Sequence, residues 1–203
     1  MQDRPLAEDE LEQDPLAQFA AWFDLARGEG AAEPDAMALA TATGDGEPSV
    51  RMVLMKDWGE GGITFFTNYG SRKAAELERN PRAALLFYWP ELGRQVRIEG
   101  HVRRAERADT VAYARSRSRA SQLSALASPQ SRPVPNREWL EERVAALDRE
   151  HTRGELPVSE EWGGYRLEPE AWEFWQHRAN RLHDRFRYER SATGAWTIER
   201  LGP

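Results

Sequence analysis

Arg51-Met52-Val53-Leu54-Met55-Lys56 puts a cation at each end of an apolar run. Both charges must meet an anion or water where such a strand leaves the core, because burying an unpaired charge is costly. Further on, Ser71-Arg72-Lys73 opens a helical segment. The free N–H groups and positive end of that helix add to its two side-chain cations. Basic residues in a first turn oppose the helix dipole, and a bound anion removes the conflict. Together the two segments resemble a phosphate cradle. Taken singly, they are a flanked strand and a solvated helix start.

Tyr113 and Arg117 stand four apart on a predicted helix, with Ser121 four further on, so two hydroxyls and a guanidinium could meet one phosphate. An exposed arginine-rich helix whose tyrosine packs on the domain is the plainer alternative. In Arg181-Leu182-His183-Asp184-Arg185, strand alternation would put Arg181, His183 and Arg185 on one face. That face suits a solvated edge or an anionic, electron-rich ligand. Among Trp172, Phe174, Trp175 and Gln176, Trp175 alone points away from the other three, leaving one indole to cover a planar ring or pack at an interface. No histidine and carboxylate set has metal-ligand spacing, so no metal site is expected. No G-x-S-x-G elbow or nucleotide-binding glycine motif occurs, so a phosphate would have to be held by side chains.

The chain that must position these groups has 203 residues and a net charge of −6. Its length suits one domain with a real core. The acidic balance argues against nucleic-acid binding, and no apolar run approaches the roughly 18 residues of a membrane span. With no cysteine and an acidic N-terminus, a cytoplasmic protein is expected. Residues 1–13 read as an acidic, disordered tail and residues 14–203 as one domain. Eight arginines face three acids across residues 94–119, and Lys56 and Lys73 are the only lysines.

Asp14-Pro15 starts an amphipathic helix that ends at Gly28. Strands are predicted over residues 37–43, 49–57, 63–68, 82–89, 94–104, 164–167, 171–176, 181–188 and 195–201, and helices over 71–79, 106–117 and 136–151. Residues 118–135 read as a serine- and proline-containing loop. Many short strands with few helices favour a mainly β, small antiparallel barrel with peripheral helices.

In order along the chain, R-M-V-L-M-K, F-F-T-N-Y-G-S-R-K-A, R-Q-V-R-I-E-G, S-P-Q-S, W-G-G-Y-R, E-F-W-Q, R-L-H-D-R and E-R-L-G-P closely resemble the pyridoxamine 5′-phosphate oxidase family from about Asp14 to Pro203. The resemblance implies a Greek-key-like, FMN-binding split β-barrel. It also implies a homodimer whose two active sites draw on both chains. The implied reaction oxidises pyridoxamine or pyridoxine 5′-phosphate to pyridoxal 5′-phosphate, with O2 as acceptor and H2O2 as product. By the same resemblance FMN is held by Arg51, Met52, Val53, Leu54, Met55, Lys56, Phe66, Thr67, Arg72, Lys73, Gln95, Gln130, Ser131, Trp175 and Arg185. The substrate phosphate falls to Lys56, Tyr113, Arg117 and Ser121, and Arg181 and His183 lie over the ring. The family's usual N-terminal arginine and tyrosine have no full counterpart, since the tail offers only Arg4 and the first tyrosine is Tyr69. Alternatives are a flavin oxidase of another ring, of the phenazine type, and a carrier of flavin or pyridoxal phosphate without turnover.

Overall fold

The computed structural model describes residues 5–152, 154–191 and 193–203. Among these, nine strands form one antiparallel sheet accompanied by five α-helices. In chain order they are α1 (Pro15–Gly28), β1 (Ala36–Ala42), β2 (Pro48–Leu54), β3 (Asp57–Gly59), β4 (Gly62–Asn68), α2 (Arg72–Arg79), β5 (Arg82–Trp89), β6 (Arg94–Arg104), α3 (Arg107–Ser116), α4 (Arg119–Ala127), α5 (Arg137–Glu150), β7 (Trp162–Gln176), β8 (Asp184–Arg190) and β9 (Trp196–Arg200). The hydrogen-bonded order is β2-β1-β5-β6-β7-β4-β3, with β8 on β7 and β9 on β8. The Lys56 N–H donates to the Thr64 carbonyl at 2.8 Å, so the chain leaving β2 returns beside β4 and the sheet curls.

The curl turns on β7. β6 pairs along most of its length, whereas β4 takes residues 162–167 and β8 takes 171–176. The register slips between Glu99 and Gly100 and leaves Glu170 as the extra residue of a bulge, which bends the strand. A Cβ on Gly100 would lie 2.0 Å from the Glu168 carbonyl oxygen, so this crossing needs glycine. Pro169, without an N–H to donate, sits at the break. The two strands expected at 164–167 and 171–176 are therefore one bent strand.

The core fills the concave side. Asp14 caps α1 by accepting the Leu16 N–H at 3.0 Å, with Pro15 in the first turn, and the helix buries Phe19, Trp22, Phe23 and Ala26. Phe19 is fully buried and its ring lies 5.1–6.4 Å from those of Trp58, Phe87, Trp89 and Trp172. Removing such a ring costs about 3–5 kcal/mol. Trp172, Phe174 and Gln176 face the interior while Trp175 does not, as the alternation of β7 requires.

Residues 5–13 differ from the disordered tail expected over 1–13. Leu6 and Leu11 are buried, the Leu6 N–H donates to Asp184 at 3.1 Å, and the Tyr188 hydroxyl donates to the Glu12 carbonyl at 2.8 Å. Burial of the two leucines among the acids offsets the cost of ordering the segment. Arg4 lies outside the described residues.

Candidate active site

Strands β2 and β4, the start of α2, the end of α3, α4 and the segment after it enclose a cleft of about 420 Å³. Of the residues singled out in the sequence, Arg51, Met52, Val53, Leu54 and Lys56 line it from β2 and its exit. Phe66 and Thr67 line it from β4, Lys73 from α2, and Tyr113, Arg117 and Gln130 from the opposite wall.

Lys73 is buried in the first turn of α2. Its ammonium donates to Gln130 Oε1 at 2.9 Å, Thr67 Oγ1 at 3.0 Å and Ser71 Oγ at 3.3 Å. Burial, reinforced by the neighbouring Arg51 charge, pulls its pKa down to about 8. Ser71 makes no side-chain cap, so the first-turn N–H groups of α2 have no side-chain acceptor there. A buried cation and a bare helix N-terminus together favour a phosphate.

Behind the cleft wall, Glu76 Oε2 accepts from Thr41, Ser49 and Arg51, and Glu76 Oε1 accepts from Arg72 at 2.8 Å. Burial pushes the carboxyl upward, but the hydrogen bonds from Ser49, Thr41, Arg72 and Arg51 outweigh it and hold the pKa at about 2. Glu76 thus fixes Arg51 in the cleft wall, while Arg72 pairs with it from outside the lining. Lys56 pairs with Asp35 at 2.9 Å.

An aromatic stack joins the β4 side of the cleft to the opposite wall. Phe66 and Tyr113 stack at 4.2 Å, and Trp162 lies nearly parallel to both at 5.5 and 6.0 Å. Two glycines of β7 let aromatic rings approach the strand closely. A Cβ on Gly163 would meet the Tyr69 hydroxyl at 2.1 Å, and one on Gly164 would meet Phe66 at 2.9 Å.

A second group assembles on β6, β7 and β8, outside this cleft. Gln95 pairs with Trp175 and Trp175 with Arg185, while the His183 ring lies 4.6 Å from that of Trp175. His183 Nδ1 accepts the Arg178 N–H at 3.1 Å, and Arg185 donates to Glu173 and to the Gly202 carbonyl. Arg181 belongs to the same turn. Within one chain, Gln95, Trp175, Arg181, His183 and Arg185 do not line the cleft, nor do Met55, Arg72, Ser121 and Ser131. Met55 points into the core, and the Ser121 hydroxyl is bonded to that of Ser118.

Three sequence expectations are corrected here. Residues 181–188 are not one strand: β8 begins at Asp184, and Asn180 and Arg181 have φ of 57° and 62°, so strand alternation cannot pair Arg181 with His183. Arg117 is not on the Tyr113 helix but at its C-cap, because α3 ends at Ser116; Ser121, expected at or past the helix end, lies beyond it on α4. The loop expected at 118–135 contains α4, whose Ser118 caps the Ser121 N–H. Ser124, Ala125 and Ser128 were missed as lining residues because α4 was not expected, and Asn68 and Trp162 were missed as well. The W-G-G-Y-R motif carried a signal for Trp162, since paired glycines mark a strand that others approach closely.

Residues 26–149 match the family model described as pyridoxamine 5′-phosphate oxidase, and residues 162–203 match the pyridoxine 5′-phosphate oxidase C-terminal dimerisation region. The chain belongs to the pyridoxamine 5′-phosphate oxidase family. It is 53% identical over 198 residues to a pyridoxine/pyridoxamine 5′-phosphate oxidase of Rubrobacter xylanophilus, covering 98% of this chain and 91% of that one. It is 50% identical to the one of Gluconobacter oxydans over the whole of both chains. Among solved structures, PhzG from Burkholderia lata 383, in complex with tetrahydrophenazine-1-carboxylic acid, superposes with a TM-score of 0.92 at 35% identity, covering 99% of this chain and 98% of that one. An FMN-binding, pyridoxamine 5′-phosphate oxidase-related protein of Nostoc punctiforme shares the fold, with a TM-score of 0.73 at 20% identity over 94% of this chain and 98% of that one. The first family match holds most of the cleft, and the second holds Trp162 and the second group apart from Gln95.

Proposed function

We propose that this chain is an FMN-dependent oxidase that converts pyridoxamine 5′-phosphate or pyridoxine 5′-phosphate to pyridoxal 5′-phosphate in the cytoplasm. The alcohol and O2 give the aldehyde and hydrogen peroxide; the amine consumes a water as well and releases ammonia. FMN, when bound, supplies the two-electron chemistry that no side chain here offers. The observation that carries the reading is a cleft with cations at two places. Arg51 and buried Lys73, with Thr67 and Gln130, suit the cofactor phosphate; Lys56, Tyr113 and Arg117 suit the substrate phosphate. Charge-assisted bonds of this kind contribute about 1.5–3 kcal/mol each.

The second group completes the site in a homodimer. Trp175, Gln95 and Arg185 of one copy would border the flavin of the other, and Arg181 and His183 would meet the substrate ring. Two features support this. The β7–β9 region matches a dimerisation model, and Val50, Met52 and Leu54 expose an apolar stripe on β2, the last strand of its sheet path. Such a stripe marks an interface.

An absorbance spectrum of the purified protein tests the proposal. A flavin spectrum that bleaches on anaerobic addition of pyridoxine 5′-phosphate, then returns with O2 as peroxide and pyridoxal 5′-phosphate form, is the expected result. A flavin-loaded protein inert to both substrates would reject it. The likeness to PhzG favours, as a second reading, oxidation of a reduced phenazine carboxylate. Turnover of that compound in preference to the phosphorylated pyridines would establish it instead.

A further inference from the structure

Arg117 stands apart from its neighbours. Arg107, Arg115 and Arg119 pair with Glu160, Glu155 and Asp148 at 2.8–3.0 Å. Arg117 has no carboxylate partner among the described residues, and its guanidinium carbon lies 5.0 Å over the Trp162 ring. It leaves α3 at the C-cap with an extended backbone, so nothing in the helix fixes its direction.

Trp162 is well placed to fix it. The indole is 8% exposed, lies within 13° of parallel to both Phe66 and Tyr113, and its backbone carbonyl accepts from Arg107 at 3.1 Å. A guanidinium held on a ring face keeps its N–H donors for acceptor oxygens, whereas one held by a carboxylate spends them. An arginine on a rigid ring, without the carboxylate that Arg107, Arg115 and Arg119 of α3 and α4 each have, is therefore held ready for an anion.

We propose that Trp162 is a positioning residue: by seating Arg117 it sets the preference of the site for phosphorylated over unphosphorylated substrates. This rests on the reading of Tyr113 and Arg117 as the substrate-phosphate end of the cleft. The role needs no contact between Trp162 and the substrate.

The test compares Trp162→Leu and Trp162→Phe with the unaltered flavin-loaded protein. It measures equilibrium binding of pyridoxal 5′-phosphate and of pyridoxal, and kcat and KM for pyridoxine 5′-phosphate. Trp162→Leu should lower the ratio of phosphorylated to unphosphorylated affinity about fivefold or more, a loss the size of one cation–π contact. KM should rise while kcat and flavin affinity hold, and Trp162→Phe should restore most of the ratio. Arg117→Ala should lower the same ratio, and adding Trp162→Leu to it should lower it no further. Equal weakening of both ligands, an unchanged ratio in Trp162→Leu, or a further full-sized fall when Trp162→Leu is added to Arg117→Ala would overturn the assignment. Failure of the unaltered protein to oxidise either phosphorylated substrate would instead remove the underlying reading.

Discussion

Lys73 and Gln130 meet at 2.9 Å, joining the first turn of α2 to the segment that follows α4. The contact closes one end of the cleft and leaves a buried ammonium whose pKa has fallen to about 8. A dianionic phosphate favours the charged lysine, so cofactor binding takes up a proton once the pH exceeds that value. FMN affinity should therefore be highest between about pH 6, where a phosphate monoester gains its second charge, and pH 8. Above pH 8 it should decline, as titration calorimetry across the range would register. Lys73→Met should weaken binding about ten- to hundredfold and abolish the alkaline decline. The linkage for folding runs the other way. Between the folded value near 8 and the ordinary lysine value of 10.5, the unfolded chain holds more protons, so apoprotein stability rises with pH over that window through this group.

Glu76 has the opposite signature. Its carboxyl is held near 2 against an ordinary 4.5, so its stabilisation is complete above 4.5 and is lost as pH falls toward 2. Glu76→Gln removes the charge that faces Arg51 and Arg72 and should cost about 1.5–3 kcal/mol, the range for hydrogen bonds to a charged group. Urea denaturation of the two proteins at pH 7 and pH 3 measures this. The gap between them should narrow at the lower pH.

Gly163 admits the Tyr69 ring, whose hydroxyl donates to the Gly164 carbonyl at 3.0 Å. A methyl there would lie 2.1 Å from that hydroxyl. Gly163→Ala should destabilise the fold by about 1–3 kcal/mol through overpacking. For a chain of this size that is a melting shift of roughly 2–12 °C, visible by calorimetry. The disturbance should reach the aromatic wall, since Trp162 precedes this glycine in β7.

What was legible in the sequence follows from how local each cause is. Helix α1 announces itself because Asp14, Pro15 and the Phe19–Trp22–Phe23–Ala26 face act within one segment. Arg51, Lys56 and the start of α2 were legible for the same reason, as charges that an apolar run or a helix dipole leaves unsatisfied, although Arg51 stands mid-strand in β2 and Lys56 beyond its end rather than at its two ends. Helix α4 was not: nine residues, rich in serine and alanine, bury only Leu123 and Ala127 and pack against α5. The turn before β8 escaped notice because Asn180 and Arg181 adopt a left-handed backbone that no periodicity signals. Nor could pattern show that the cations separate into two groups, because side-chain type reveals charge and not the surface on which it emerges.

That separation leads to a prediction that ordinary point variants cannot make. Arg117 and Lys73 line the cleft of their own chain, whereas His183 and Arg181 stand in the other group. Arg181→Ala and His183→Ala should therefore cut turnover and spare flavin retention, and Met52→Glu, which charges the exposed β2 stripe, should yield monomers without activity on a sizing column. A decisive version mixes defects. If each site takes its cleft from one copy and its His183 from the other, a heterodimer of an Arg117→Ala chain and a His183→Ala chain carries both lesions in one site and neither in the other. Co-expression of the two impaired variants, assayed at a substrate concentration too low for Arg117→Ala to turn over, should then restore turnover, with about half the sites of each heterodimer intact. Sites built within single chains would instead give one defect per site and no recovery.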